Sequence, residues 1–286
     1  MKLPLMGECA LSHEFSMSNV RVQILSDLHV DVNFDWDEHA SREFLESLSP
    51  SESVDAVVVA GDIADGADVV KAIDVLAYHR ASRGEHVIYV PGNHDFYYRN
   101  PADVVADFHR LEKTHGNLHV LQNKCWDHRG VRFVGTTLWF GYDPDNLRYF
   151  NRFTDLVCIR PKSYTPLEWI ERENDIAQEF LRQNHSSSDV VVTHHIPTKH
   201  CIHPKWRSSD LNRFFVCDLP DLIDDTTRDR TWIFGHTHDT WDVTCGRTRL
   251  IANPLGRRHE NNRQGNFASH LLIDIPIPAV EDQKCS

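Results

Sequence analysis

The sequence predicts an α/β fold, and two observations carry that expectation. Short runs rich in Val and Ile, closed by Gly or Pro, alternate with stretches whose apolar residues recur at i, i+3, i+4 spacing. Residues able to carry chemistry sit at or just beyond the ends of those same runs. That is where open α/β sheets place their sites.

Taken in order, Arg21-Val22-Gln23-Ile24-Leu25-Ser26 runs into Asp27-Leu28-His29. Ala56-Val57-Val58-Val59-Ala60 runs into Gly61-Asp62, and Val69, Val70, Ile73, Leu76 and Ala77 then mark an amphipathic helix. His86-Val87-Ile88-Tyr89-Val90 leads to Pro91-Gly92-Asn93-His94-Asp95. Asn100 reads as an N-cap before Pro101 at the first helical position, with Val104, Val105, Phe108 and Leu111 on one face. Strands are expected near 118–121 and 131–136. Thr165-Pro166-Leu167-Glu168 fits a capping box that opens a long helix, with Leu167, Ile170, Ile176, Phe180 and Leu181 expected to face inward. Asp189-Val190-Val191-Val192 feeds Thr193-His194-His195, and Thr231-Trp232-Ile233-Phe234 feeds Gly235-His236-Thr237-His238. Beyond Gly235 the pattern is mostly β, at 241–245, 249–252 and 270–275. The least regular stretch is 141–163, with Tyr142, Tyr149, Phe150, Arg152 and Phe153. It reads either as a cap over a site or as a surface loop packing its own aromatics.

Composition narrows the function. The chain has 286 residues and a net charge of −12, so a broad phosphate-backbone footprint or a polybasic membrane patch is not expected. A small phosphate ester such as a nucleotide is the better partner than DNA or RNA. Seven cysteines occur with no C-x-x-C pair, which reads as free thiols in a reducing, cytoplasmic setting. No run reaches the roughly 18 apolar residues of a membrane span. Residues 1–18 lack a sustained apolar segment and read as an extension, not a secretory signal. Residues 19–278 read as a single domain, and 279–286 as a tail. The oligomeric state is not encoded in any pattern.

The strand-end clusters supply carboxylates, an amide oxygen and at least four imidazoles. That is the donor inventory of a two-metal hydrolytic site. Imidazole with carboxylate suits Mn, Fe, Zn or Co, and the lack of thiolate disfavours a closed structural zinc site.

The order D-x-H, G-D, G-N-H-D, T-H-H, G-H-T-H resembles the calcineurin-like metallophosphoesterase superfamily, from about residue 20 to 275. The resemblance implies a four-layer α-β-β-α sandwich with two mixed sheets. It implies two divalent transition-metal ions (Mn, Fe or Zn). One would be held by Asp27, His29, Asp62 and His238, the other by Asp62, Asn93, His194 and His236. It further implies hydrolysis of a small phosphomonoester or phosphodiester by a metal-bridging hydroxide. His94 would be the general acid, a role that suits an imidazole with a pKa of about 6.5. Asp65 would be its carboxylate partner, with Asp95 as the alternative. His195, Arg99 and Arg257 are candidate substrate contacts, Arg258 is a further cation, and Tyr97 and Tyr98 read as contacts or as struts. Asn253-Pro254-Leu255-Gly256 resembles a site-wall turn, and His200 and His203 read as surface polar residues. Gly61-Asp62-Ile63-Ala64-Asp65-Gly66 lacks the Arg that Ser/Thr protein phosphatases carry, which argues against that subclass. Gly135-Thr136-Thr137-Leu138-Trp139 and Thr193-His194-His195-Ile196-Pro197 look most like small bacterial cytoplasmic metallophosphoesterases. A metal-dependent nuclease and a non-catalytic binding scaffold are the alternatives.

Overall fold

The computed structural model describes residues 19–35, 37–260 and 266–278. The expected extension 1–18 and tail 279–286 lie outside the described residues.

Eleven strands form among these residues: β1 (Asn19–Leu25), β2 (Ala56–Ala60), β3 (His86–Val90), β4 (Leu118–Val120), β5 (Lys124–His128), β6 (Val131–Thr136), β7 (Val190–Thr193), β8 (Arg230–Ile233), β9 (Trp241–Cys245), β10 (Thr248–Ala252) and β11 (Leu272–Pro276). One sheet has the order β11-β1-β2-β3-β4, the other β5-β6-β7-β8-β10-β9. In the first, β1 to β4 run parallel and β11 lies antiparallel on β1. In the second, β6, β7, β8 and β10 are parallel, and β5 and β9 are antiparallel edges. Both sheets are therefore mixed.

Alternation along the strands explains how the sheets stack. Ala56, Val58 and Ala60 of β2 face the same apolar layer as Phe133 of β6 and Val190 and Val192 of β7. Val57 and Val59 point the other way, onto Val69, Ile73 and Leu76 of the helix Asp68–Ala81 and Phe108 of Pro101–Thr114. On the far side, Val191 and Trp232 meet Ala177 and Leu181 of the helix Pro166–Asn184. Three apolar layers separate four structural ones, which is the sandwich expected. A strand buried on both faces has no polar side, and this is why these runs read as continuous Val and Ile.

The capping box at Thr165 forms as expected, with Glu168 N donating to Thr165 Oγ1 at 3.3 Å and Thr165 N donating to Glu168 Oε2 at 2.9 Å. The buried face of that helix differs from the expectation. Ile176 is exposed, and Asn174 is buried in the inward stripe. The Asn174 amide donates to Leu138 O at 2.8 Å. Leu138 and Trp139 form a left-handed turn after β6, with φ of 71 and 57°. A side chain with polar hydrogens is needed there, so the apolar period breaks. Strand β5 was not foreseen because Lys-Cys-Trp-Asp-His offers no apolar run.

Candidate metal centre

Parallel β1, β2 and β3 end on one side of the first sheet, and β7 and β8 end beside them on the second. The loops that leave them are stitched together by main-chain hydrogen bonds. Asp27 N donates to Gly61 O, His29 N to Asp62 O and Gly235 N to His194 O, each at 3.0 Å. A methyl group on Gly92 would overlap the Asp62 carboxylate, and one on Gly61, at φ +86°, would overlap the His194 ring. Only glycine lets these loops close so tightly. Asp27, His29, Asp62, His236 and His238 all hold left-handed backbone, with φ of 50, 39, 55, 64 and 50°. Such strain survives where the surroundings over-determine it, and it gathers at functional sites.

Asp62 lies at the centre. Its Oδ1 accepts from His94 N at 2.9 Å. Its Oδ2 is buried and accepts no hydrogen bond. Around that oxygen stand His194 Nε2 at 3.3 Å, His29 Nε2 at 3.9 Å and His94 Nε2 at 4.0 Å. Asp27 repeats the arrangement. Its Oδ1 accepts from His236 N at 2.9 Å and lies 3.5 Å from His238 Nε2. Its Oδ2 is buried and unpaired, as is His236 Nε2. His29 Nε2 and His238 Nε2 are 3.3 Å apart, and Asn93 Oδ1 is 2.9 Å from His194 Nε2.

These atoms form groups suited to a metal ion: Asp27 with His29 and His238, Asp62 with His194 and His236, and His29 with Asp62 and His94 between them. Within each, the ligand atoms lie within 4.8 Å of one another. Donors bound about 2.0–2.2 Å from a shared cation stand roughly 3–4 Å apart. A buried polar atom without a partner costs about 1–3 kcal/mol, and divalent cations held in these groups would satisfy the orphaned Asp27 Oδ2, Asp62 Oδ2 and His236 Nε2. The donor set and the unpaired atoms thus fit metal binding. The structure brings together all seven ligand residues expected from the sequence.

Outer contacts aim the rings. His194 Nδ1 is 2.8 Å from Ala60 O, and His238 Nδ1 is 2.6 Å from Glu260 Oε2. Both leave Nε2 directed inward, as ligating histidines require. Burial favours neutral His194, but Asp62 outweighs it and pushes the ring up to about 9. Burial likewise opposes charge on His238, and Asp27 with Glu260 pushes it up to about 10. Burial raises Asp62, yet His194 and His94 hold it well below the usual carboxylate range. His29 and His236 are held well below the ordinary imidazole value, chiefly by burial.

His94 Nδ1 lies 2.8 Å from Asp65 Oδ1. Asp95 is turned away, accepting from Tyr89 Oη at 2.5 Å and Gly92 N at 2.7 Å. Arg257 Nη2 rests against the His94 ring, 2.9 Å from Nδ1 and 3.0 Å from Nε2. Both His94 and Arg257 line a cavity of about 670 Å³. Asn253 donates to Ile24 O at 2.7 Å and Ala268 O at 2.8 Å, which anchors the wall turn.

Three expected contacts fall elsewhere. Arg99 is tied to Asp107 at 2.7 Å and does not line the cavity. His195 is fully buried behind His236, with ring centroids 4.2 Å apart and Nδ1 3.2 Å from Thr137 O, so it is out of substrate reach. Arg258 pairs with Asp35 at the surface. Conversely, His203 lines the cavity.

Sequence reasoning missed Asp155 and Glu260. Asp155 is buried in the irregular 141–163 stretch, and its Oδ1 accepts from Asn93 Nδ2 at 2.7 Å and Tyr97 Oη at 2.5 Å. Tyr97 is accordingly a buried strut that also lines the cavity, while Tyr98 is exposed. The 141–163 stretch does what both of its readings describe. Phe153 stacks on Phe214 at 4.1 Å, and Phe153, Thr154 and Asp155 wall the cavity. No spacing or motif marks Asp155 or Glu260 in advance.

Fold and site together define a calcineurin-like phosphoesterase. The profile of that family matches residues 20–240, and the chain belongs to it. An uncharacterised protein of Acanthamoeba polyphaga mimivirus is 24% identical over 213 residues, covering 67% of this chain and 74% of its own. Among solved structures, the phosphopantetheinyl hydrolase of Mycobacterium tuberculosis matches with a TM-score of 0.66 and 20% identity, covering 94% of this chain and 99% of its own. A Thermus thermophilus protein matches with a TM-score of 0.53 and 14% identity, covering 91% and 100% respectively. Among the described residues, no helix is long and apolar enough to cross a membrane.

Proposed function

We propose that this protein hydrolyses a small phosphate ester with the help of two divalent ions. Asp27, His29, Asp62 and His238 would hold one ion, and Asp62, Asn93, His194 and His236 the other. Bound there, the ions supply Lewis acidity that activates water and neutralises charge on the phosphoryl oxygens. The chain's own residues do the rest. His94, oriented by Asp65, presents Nε2 to the cavity and protonates the departing alkoxide. Arg257, beside that ring, supplies fixed positive charge for the phosphoryl group.

The observation that carries this reading is Asp62 Oδ2. It is buried and unpaired, with the Nε2 atoms of three imidazoles within 4.0 Å. The test is metal analysis of the purified protein followed by turnover of p-nitrophenyl phosphate and bis(p-nitrophenyl) phosphate with Mn, Fe or Zn. Bound metal with turnover of either ester is expected. No bound metal and no turnover with any of the three ions overturns it.

A further inference from the structure

Part of the cavity wall is unlike the metal end. A cavity of about 670 Å³ falls in the range of roughly 300–1,000 Å³ that accommodates drug-sized ligands. A phosphoryl group alone would leave most of it to the alcohol part of the ester. That part of the wall comes from the crossover between β7 and β8 and carries Ile202, Trp206, Leu211 and Phe215, with Phe153 opposite them in sequence origin. Trp206 is 52% exposed and Leu211 43% exposed, and both line this one cavity. Large apolar side chains left open to water in a concave, polar-rimmed place mark a binding surface.

The wall has regular local structure. It consists of three single 3-10 turns, Lys199–Cys201, Pro204–Trp206 and Asp210–Phe214, each started by a side-chain cap from Thr198, His203 or Ser209. Trp206 O accepts from Asn212 Nδ2 at 2.8 Å and from Ser209 N at 2.9 Å. The Trp206 backbone is thereby fixed while its ring stays open. Phe215 marks the border with the metal end, its ring 4.5 Å from that of His236. Lys205, which lines the cavity, is paired with Asp239 at 2.8 Å and lies 5.3 Å from the Trp206 ring. A second phosphate on the substrate would meet a paired cation, whereas a flat apolar group would meet apolar and aromatic side chains.

Resting on the hydrolase reading above, we propose that the alcohol part of the substrate is an uncharged aromatic group, seated between Phe215 and Phe153 on the inner side and Trp206 and Leu211 on the outer. The substrate is then an aryl-bearing phosphate ester, nucleoside-like in size, and not a sugar or polyol phosphate.

The test compares 2-phenylethyl phosphate with ethyl phosphate, whose leaving alcohols have similar basicity, on the Mn-loaded protein. The native protein should favour the phenyl ester by about tenfold in kcat/KM. Trp206→Ala and, independently, Leu211→Ala should shrink that preference severalfold, chiefly by raising KM for the phenyl ester. Equal kcat/KM for the two esters, or a preference untouched by both substitutions, overturns the assignment. The matching phosphonates, titrated calorimetrically into the Mn-loaded protein, give the same comparison without turnover. If neither ester is cleaved but 2-phenylethylphosphonate binds about tenfold tighter than ethylphosphonate, the aromatic subsite stands and the hydrolase reading fails. Equal binding of the two phosphonates overturns the subsite.

Discussion

At the metal end of the cavity, functional side chains hang one to five residues beyond buried strands. Their loops are tied by main-chain hydrogen bonds and held in left-handed backbone. In the crossover wall, residues 198–215 turn three times in short 3-10 segments, each capped by a polar side chain. The first region is over-determined: glycines at 61 and 92 leave no room for change, and the carboxylates can sit only where they do. The second is held mainly by short-range caps and hydrogen bonds within the crossover, and leaves Trp206 and Leu211 exposed. Chemistry needs atoms fixed to within a fraction of an ångström, so it is placed on the sheets. Selection among substrates tolerates looser placement, so it is given to the crossover.

The largest expected effect tests the first half of that comparison. Asp62→Asn replaces the carboxylate around which three imidazoles gather, and an amide nitrogen would then face His194 or His94. Turnover should fall about a thousandfold, roughly 4 kcal/mol of transition-state stabilisation. Metal content measured on the same sample should fall with it. Metal retention with turnover within tenfold of native would break the idea that Asp62 is central.

Much of this end was legible in the sequence. Asp27, Asp62, Asn93, His194 and His236 each follow an apolar run within a few positions, and a run buried on both faces can end only at a sheet edge. Parallel neighbours then bring those ends together. Other features had no such signal. Asp155 and the 198–215 wall come from segments without periodicity, and their roles depend on which turn meets which strand end. The misjudged inward place of Ile176 shows the limit from the other side. Asn174 holds the carbonyl of a left-handed turn that no pattern in the helix itself announces. Arg99 likewise follows the Asn93 motif closely, yet the helix that follows it supplies Asp107 to take it.

A pH dependence sharpens the contrast further, because the imidazoles pushed above their ordinary value sit at the metal end. His194 is pushed up to about 9 and His238 up to about 10 by neighbouring carboxylates. Both therefore carry protons at neutral pH unless a cation takes their place. Metal binding should release up to two protons, so affinity should rise with pH by up to about 100-fold per unit below pH 9. The sign reverses for the stability of metal-stripped protein. A folded-state value raised above about 6.5 gives stability that is complete below pH 6.5 and lost as pH climbs through 9 to 10. Metal titrations at pH 6.5, 7.5 and 8.5, paired with thermal melts in chelator, check both directions. Affinity that is flat with pH would mean that the paired rings are not the ligands.

The smallest effect asks whether the irregular segments reach into the metal end at all. Asp155 belongs to the 141–163 stretch, yet its carboxylate accepts from Asn93 Nδ2 and Tyr97 Oη. Burial pushes that carboxyl up, and the two donors pull it back. An acceptor on the nitrogen side of the Asn93 amide leaves only Oδ1 to face His194 Nε2 and the ion proposed there. Without it the amide is free to turn over, and its NH2 would point at the cation. Asp155→Ala should therefore weaken binding of one of two ions by about tenfold, read as a split in a calorimetric metal titration. Asp155→Asn keeps an acceptor oxygen at the same place and should restore most of the affinity. If both substitutions lower the melting temperature equally and leave the two binding steps unchanged, Asp155 only supports the fold. The 141–163 stretch would then belong wholly with the crossover wall.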